Sequence, residues 1–169
     1  MGMRPIPRFR PTARLLVLDP ADRLLLFEFR AGDGSTFWLT PGGGIHRGES
    51  VEAAAVRELA EETGYPVTEA GLGPVVATRA GLWRSAYSGR LVFGADTFFL
   101  IRVTSADVSA DGHEDHEREI IAGHRWWSAA ELREAAEDIR PPGIADLVVS
   151  LLARGLPPKP VRLPWRDLR

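Results

Sequence analysis

Apolar positions fall along this chain in two rhythms. Residues 13–18 and 23–29 are short, nearly continuous apolar runs, the pattern of strands buried on both faces. The Asp19-Pro20-Ala21-Asp22 turn signal between them predicts a hairpin. A loop at residues 31–35 and a short strand at 37–39 follow. Residues 50–64 then change period: Ser50 suits an N-cap, Gly64 suits the residue past the C-cap, and no proline intervenes, which predicts a helix of about three and a half turns. Strands are expected at residues 74–79, 96–103 and 124–127, and Ser128 caps a helix running to about residue 138. A final helix over residues 143–154, opened by Pro141 and Pro142, carries Ile144, Leu147, Val148, Leu151 and Leu152 as an apolar stripe at helical spacing, which is core.

Strands, one helix, more strands and two late helices fit an α/β fold with a mixed central sheet between helical layers. The 169 residues, 44% hydrophobic and 26% charged, suffice for one globular domain with a substantial core, and nothing divides them into two. We place that domain at residues 12–155, between an extended, arginine- and proline-bearing N-terminal arm (1–11) and a proline-rich basic tail (156–169) whose Trp165 and Leu168 need cover. The absence of cysteine excludes disulfides, thiolate metal sites and a cysteine nucleophile, and is compatible with a cytoplasmic location. No apolar run has the length to span a membrane. A net charge of −2 argues against broad nucleic-acid binding.

Chemistry concentrates on the first helix. Glu58, Glu61 and Glu62 share one arc with Val51, Ala54 and Ala55, so a face that begins apolar turns acidic. Three carboxylates near the negative end of the helix dipole repel one another, and a divalent cation would offset that cost; Mg²⁺, with Mn²⁺ as an alternative, suits carboxylate oxygens and keeps positions open for phosphates. A merely solvated acidic face is the plainer reading of a generic E-x-x-E-E run. Upstream, Thr40-Pro41-Gly42-Gly43-Gly44 is expected to be irregular and to bring bare backbone close to a ligand. Glu49 can reach Arg57 across the junction as scaffolding.

The segment GGIHRGESVEAAAVRELAEETGY resembles the Nudix box, G-x5-E-x7-R-E-U-x-E-E-x-G-U, with U a bulky apolar residue. Gly43, Glu49, Arg57, Glu58, Leu59, Glu61, Glu62 and Gly64 match, and Tyr65 replaces the usual aliphatic residue at the end. A chance match is on the order of one in a million. The resemblance implies an α/β/α sandwich, a Mg²⁺-dependent hydrolase cleaving a diphosphate linkage in a nucleoside diphosphate joined to another moiety, and metal ligands at Glu58, Glu61, Glu62 and the Gly42 carbonyl. A further glutamate from the polar loop at residues 107–119, either Glu117 as a metal ligand or Glu119 at the attacking water, would join them, and Glu61 or that loop glutamate would take the proton of the water. Gly43, Glu49 and Gly64 would shape the box. Nucleoside triphosphates, oxidised ones and ADP-ribose-like compounds rank together as small-molecule substrates, and related proteins are often homodimers. A nucleotide-sensing binding module is the alternative.

Elsewhere, Trp83, Arg84, Tyr87 and Arg90, in a loop expected between residues 80 and 95, suit base stacking and phosphate contact, although a hairpin with packing aromatics is an equal reading. Trp38, Arg79 and one of the Trp126-Trp127 pair, taken as Trp127, join them as substrate-side candidates. His113 and His116 read as solvated members of a charged loop.

Overall fold

The structure, a computed structural model, describes residues 6–84, 89–113 and 115–165, without the side chains of His116 and Glu117. Its scaffold is a mixed sheet of nine strands among the described residues. In chain order these are β1 (Arg8–Leu18), β2 (Leu24–Arg30), β3 (Thr36–Leu39), β4 (Gly42–Gly44), β5 (Val75–Arg84), β6 (Leu91–Arg102), β7 (Ile121–Trp127), β8 (Ile139–Arg140) and β9 (Val161–Arg162). Four helices accompany them: α1 (Val51–Thr63), α2 (Asp115–Ile120), α3 (Ala129–Glu134) and α4 (Ile144–Arg154). The main path runs β8-β3-β2-β1-β6-β5-β9, with β4 paired to β1 and β7 to β2.

The continuous apolar run of the first strand has the expected cause. Successive side chains of a strand point to opposite faces. Leu16 and Leu18 join Val76, Phe98 and Trp127 beneath α3 and α4, where Leu132, Ile144, Leu147 and Val148 are buried. Ala13, Leu15 and Val17 join Phe27 and Phe99 beneath α1, which contributes Ala54, Ala55 and Leu59. Helices thus cover both faces of the sheet, the layered arrangement expected.

The turn at Asp19 closes as its sequence requires: its carboxylate accepts from the backbone N–H of Ala21 and Arg23 at 3.0 and 2.8 Å, and Leu18 pairs with Leu24. The two strands then splay. The strand β1 runs parallel to β6 over eleven residue pairs, from Arg8↔Val92 to Leu18↔Arg102, while β2 turns its length to β3 and β7.

Three expectations change, and one resolves between two readings. Arg8 to Pro11, read as arm, are paired strand; prolines interrupt a ladder only where an N–H is needed, and the parallel partner β6 supplies the remaining bonds. Residues 80–95, read equally as a loop or a hairpin, include the antiparallel hairpin of β5 and β6, with Trp83↔Val92 and Arg84↔Leu91 as the last pairs. Two residues of cover for the sheet come from the tail: β9 adds parallel to β5 through Ala77↔Val161 and Thr78↔Arg162, and Leu163 is 5% exposed. Part of the polar loop at 107–119 is the short helix α2.

The first helix matches its reading. Ser50 Oγ accepts from Ala53 N at 3.0 Å, and Gly64 ends the helix in the left-handed region at φ 75°. Ser128 and Glu131 form a capping box on α3. Because Leu59 anchors α1 at 0% exposure, Leu59→Ala is expected to lower unfolding free energy by about 2–5 kcal/mol in urea titration. A loss below about 1 kcal/mol would mean that α1 is not held by this packing.

Candidate active site

The site is built where α1 lies against the glycine strand. Gly42 adopts φ 125°, and a Cβ there would fall 2.1 Å from the Ala13 carbonyl oxygen, so only glycine lets β4 pair with β1. A Cβ at Gly43 would fall 2.5 Å from Glu58 Oε1. The bare backbone at Gly43 leaves room for the buried carboxylate of Glu58, 6% exposed, and beside it Glu62 is buried at 2% exposure. Gly42 N–H donates to Glu62 Oε2 at 2.6 Å, a charge-assisted bond that offsets part of the cost of burial. Of the segment expected to be irregular, Thr40 and Pro41 are so and Gly42–Gly44 form a short strand.

Arg57 gathers the junction. Its Nε and Nη2 grip the two oxygens of Glu49 at 2.8 and 3.0 Å, and Nη2 also donates to Gly44 O at 3.0 Å. Its Nη1 donates to Glu58 Oε1 at 2.7 Å and to Glu61 Oε2 at 3.1 Å. Glu49 also accepts from His46 N–H at 2.8 Å. The Arg57 bond, with lesser help from that N–H, holds the Glu49 carboxyl down at about 2, and Glu49 raises the Arg57 pKa in return.

Glu58, Glu61 and Glu62 line one cleft of about 420 Å³ together with Gly42 and Gly43. Glu61 is the more open, at 36% side-chain exposure. Arg8, Arg10 and Arg14 line the same cleft. In the arrangement seen, the Arg57 guanidinium stands between the carboxylates of Glu58 and Glu61, and no three acidic or histidine side chains among the described residues are grouped closely enough to hold an ion. The donor set is nonetheless one of hard oxygens on a shared cleft, and it would fit Mg²⁺ or Mn²⁺ if the half-buried Glu61 exchanged its Arg57 bond for the ion.

The Gly42 carbonyl accepts from Arg14 Nη1 at 2.7 Å, which also donates to Thr40 O at 3.2 Å. Arg14 Nε is buried with no hydrogen-bond partner among the described residues. Arg10 and Arg14 line the cleft without being among the candidates read from the sequence; for Arg14 the signal is an arginine interrupting the otherwise apolar run of residues 13–18. Arg79 and Trp83 border a second, smaller pocket on the sheet, which Arg10 and Arg14 also line. Arg79 Nε pairs with Asp96 Oδ2 at 2.5 Å.

Other candidates stand elsewhere. Trp127 is 1% exposed in the core, its ring meeting Trp38 edge-on at 5.2 Å, so both belong to packing and neither lines the cleft. Trp126, on the opposite face of β7, donates to Ala106 O at 3.0 Å. Arg84 donates to Gly89 O at 2.8 Å, away from the carboxylates. Glu119 is exposed, and among the described side chains of α2 the one that lines the cleft is that of Ile120. Tyr87 and the Glu117 side chain lie outside the described residues.

His113 was read as solvated and is buried instead: at 7% exposure its Nε2 lies 2.9 Å from Glu62 O, and its ring packs edge-on against Phe27. It caps the carbonyl end of α1, where the helix leaves orphan acceptors. Tyr65, the departure from the box pattern, packs beneath α1 and donates through its hydroxyl to Ser105 O at 2.8 Å.

The fold is thus an α/β sheet whose box helix turns three glutamates into a cleft beside a glycine strand. The NUDIX domain matches residues 8–147, and the chain belongs to the Nudix family, with it to the hydrolases that act on acid anhydrides. It is 28% identical to an RNA pyrophosphohydrolase of Sphingopyxis alaskensis, over 75% of this chain and 82% of that one. It is 30% identical to a putative 8-oxo-dGTP diphosphatase of Bacillus subtilis, over 71% and 67%. The crystal structure of the MutT protein from Methanosarcina mazei Go1 shares the fold, with a TM-score of 0.63 at 17% identity over 85% of this chain and 92% of that one.

Glu49 supplies a pH signature. Its folded pKa of about 2 lies below the ordinary 4.5, so its contribution to stability is complete above about pH 4.5 and is lost as pH falls through about 2. Unfolding free energy should decline across that window, and Glu49→Gln should flatten the decline. An identical pH profile for the variant would show that the Arg57 pair does not carry the effect.

Proposed function

We propose that this protein hydrolyses a diphosphate linkage in a nucleotide, with Glu58, Glu61 and Glu62 holding Mg²⁺ or Mn²⁺. The observation that carries this reading is the convergence of those three side chains on one cleft beside Arg57. When bound, the cation neutralises phosphate charge and activates water as a Lewis acid.

The chain's own groups do the rest. Glu58 and Glu62 are fixed, one by Arg57 and the other by the Gly42 N–H, and so present oxygens without reorganisation. Glu61 has room to move and is the candidate to accept the proton of the attacking water as the water oxygen bonds to phosphorus and the bridging P–O bond breaks. Its exposure also makes it the group that exchanges Arg57 for the cation. Arg14, with its unpartnered Nε, and Arg10 on the rim suit phosphate oxygens that carry charge on both products. The product pair is then two phosphate-bearing fragments, or a monophosphate and pyrophosphate.

The names of the relatives span RNA, an oxidised nucleotide and, in mouse, an ADP-sugar, and their common element is a phosphoanhydride on a nucleoside. We therefore assign a nucleoside diphosphate derivative as the substrate class. No helix among the described residues is long and apolar enough to cross a membrane.

Purified protein with Mg²⁺ or Mn²⁺ should hydrolyse at least one member of a panel of nucleoside triphosphates, 8-oxo-dGTP, ADP-ribose and RNA, read as phosphate or pyrophosphate from the triphosphates and RNA and as AMP from ADP-ribose. Glu61→Gln and Glu62→Gln should each lower turnover by about 100-fold or more with near-normal melting temperatures. Retention of activity in both variants would overturn the assigned site, and binding without release from any panel member would favour a sensing module. Arg14→Met should raise KM by about 10-fold or more and leave α1 in place by circular dichroism.

A further inference from the structure

The second pocket, of about 210 Å³, has a wall that comes from outside the sheet. Proline-rich sequence keeps the tail extended, and it is pinned two residues before that wall: β9 pairs with β5, Leu163 N–H donates to Thr78 O at 2.9 Å, and the Leu163 side chain is buried in the core. Trp165 is thereby delivered onto the sheet. Its seat is two glycines that face each other across the hairpin, Gly81↔Gly94. A Cβ at Gly81 would fall 2.1 Å from the indole, and one at Gly94 2.5 Å, so no other residue at either position would admit the ring. Trp165 Nε1–H donates to Leu82 O at 3.1 Å.

The seated ring is not merely covered. Arg79 stacks 4.8 Å from its centroid, and Asp96, 6% exposed, fixes Arg79 by one oxygen while Thr12 Oγ1 donates to the other at 2.5 Å. Trp165 and Trp83 both border the open volume beside this array. Arg10 and Arg14 line that volume and the carboxylate cleft alike, so the two spaces meet along the arginines. A ligand with phosphates among Glu58, Glu61 and Glu62 would therefore extend its other end toward two indoles and a guanidinium plane. Aromatic walls with one stacked arginine suit a planar base, which binds by stacking irrespective of its hydrogen-bonding edges.

We propose that Trp165 is a substrate-contacting specificity residue, the tail-borne wall of a pocket that stacks the nucleobase. This rests on the diphosphate reading of the carboxylate cleft, but its test needs no turnover. Calorimetry with Mg²⁺ compares ADP, GDP, CDP and UDP with inorganic pyrophosphate, which has the phosphates and no base, on the full chain and on W165L and W165F.

At least one nucleoside diphosphate should bind the unaltered protein more tightly than pyrophosphate. W165L, which keeps apolar cover on the glycines, should lose about tenfold of that advantage; W165F should retain most of it; and pyrophosphate should bind all three alike. Unchanged nucleotide affinity in a folded W165L, or no preference over pyrophosphate in the unaltered protein, would overturn the proposal. Failure of W165L to fold would reassign Trp165 as structural cover and overturn it equally. Loss of pyrophosphate binding in every protein would instead indict the carboxylate cleft, and absence of hydrolysis in the panel above leaves the comparison between bases and pyrophosphate standing.

Discussion

The Arg57 guanidinium is the interaction on which most of the acidic cleft depends. Its donors reach Glu49, the Gly44 carbonyl, Glu58 and Glu61, and so tie the loop before α1, the glycine strand and the acidic face into one body. A planar fork with five donors can do this, and a lysine ammonium cannot hold a bidentate carboxylate and a carbonyl together. The constraint is electrostatic as well as geometric. Three carboxylates at the negative end of a helix would repel one another and the last carbonyls, and a fixed cation beside them lowers that cost. The backbone N–H of Gly42 does the same for Glu62, which is almost wholly buried.

The glycines matter for the same reason. Gly42 and Gly43 carry no side chain because β1 and Glu58 come within what would be bonding reach of a Cβ. Gly81 and Gly94 repeat the device in the β5–β6 hairpin, where the thing admitted is an indole instead of a carboxylate. In both places a missing side chain defines a site more sharply than a present one does.

Legibility in the sequence followed the range of the interactions. The box helix could be read to its caps, since Ser50, Gly64 and the spacing of Arg57 and the glutamates are local signals. The turn at Asp19 was legible for the same reason, but the partners of the strands it joins were not. The strand β1 chooses β6, and nothing in residues 8–18 names it. The glycine-rich stretch reads as a loop because strand propensity ignores the carboxylates it must clear. His113 and Trp127 illustrate the converse error: polarity of the neighbours suggested solvent for one, and aromaticity suggested a ligand for the other, while long-range packing buries both. Arg14 was visible as an oddity and acquires meaning only when Thr40 and Gly42 arrive beside it.

The parallel pairing of β1 with β6 has a kinetic side. Each of its rungs joins residues 84 apart in the chain, so that Arg8 meets Val92 and Leu18 meets Arg102. The helix with the box lies wholly inside the loop that this closure forms. Local signals can start α1 early, yet its carboxylates have no floor until distant segments find one another. Closing such long loops before contacts reward them places folding among the slower single domains, about milliseconds to seconds, and couples the arrival of a competent cleft to the last topological step instead of to helix formation.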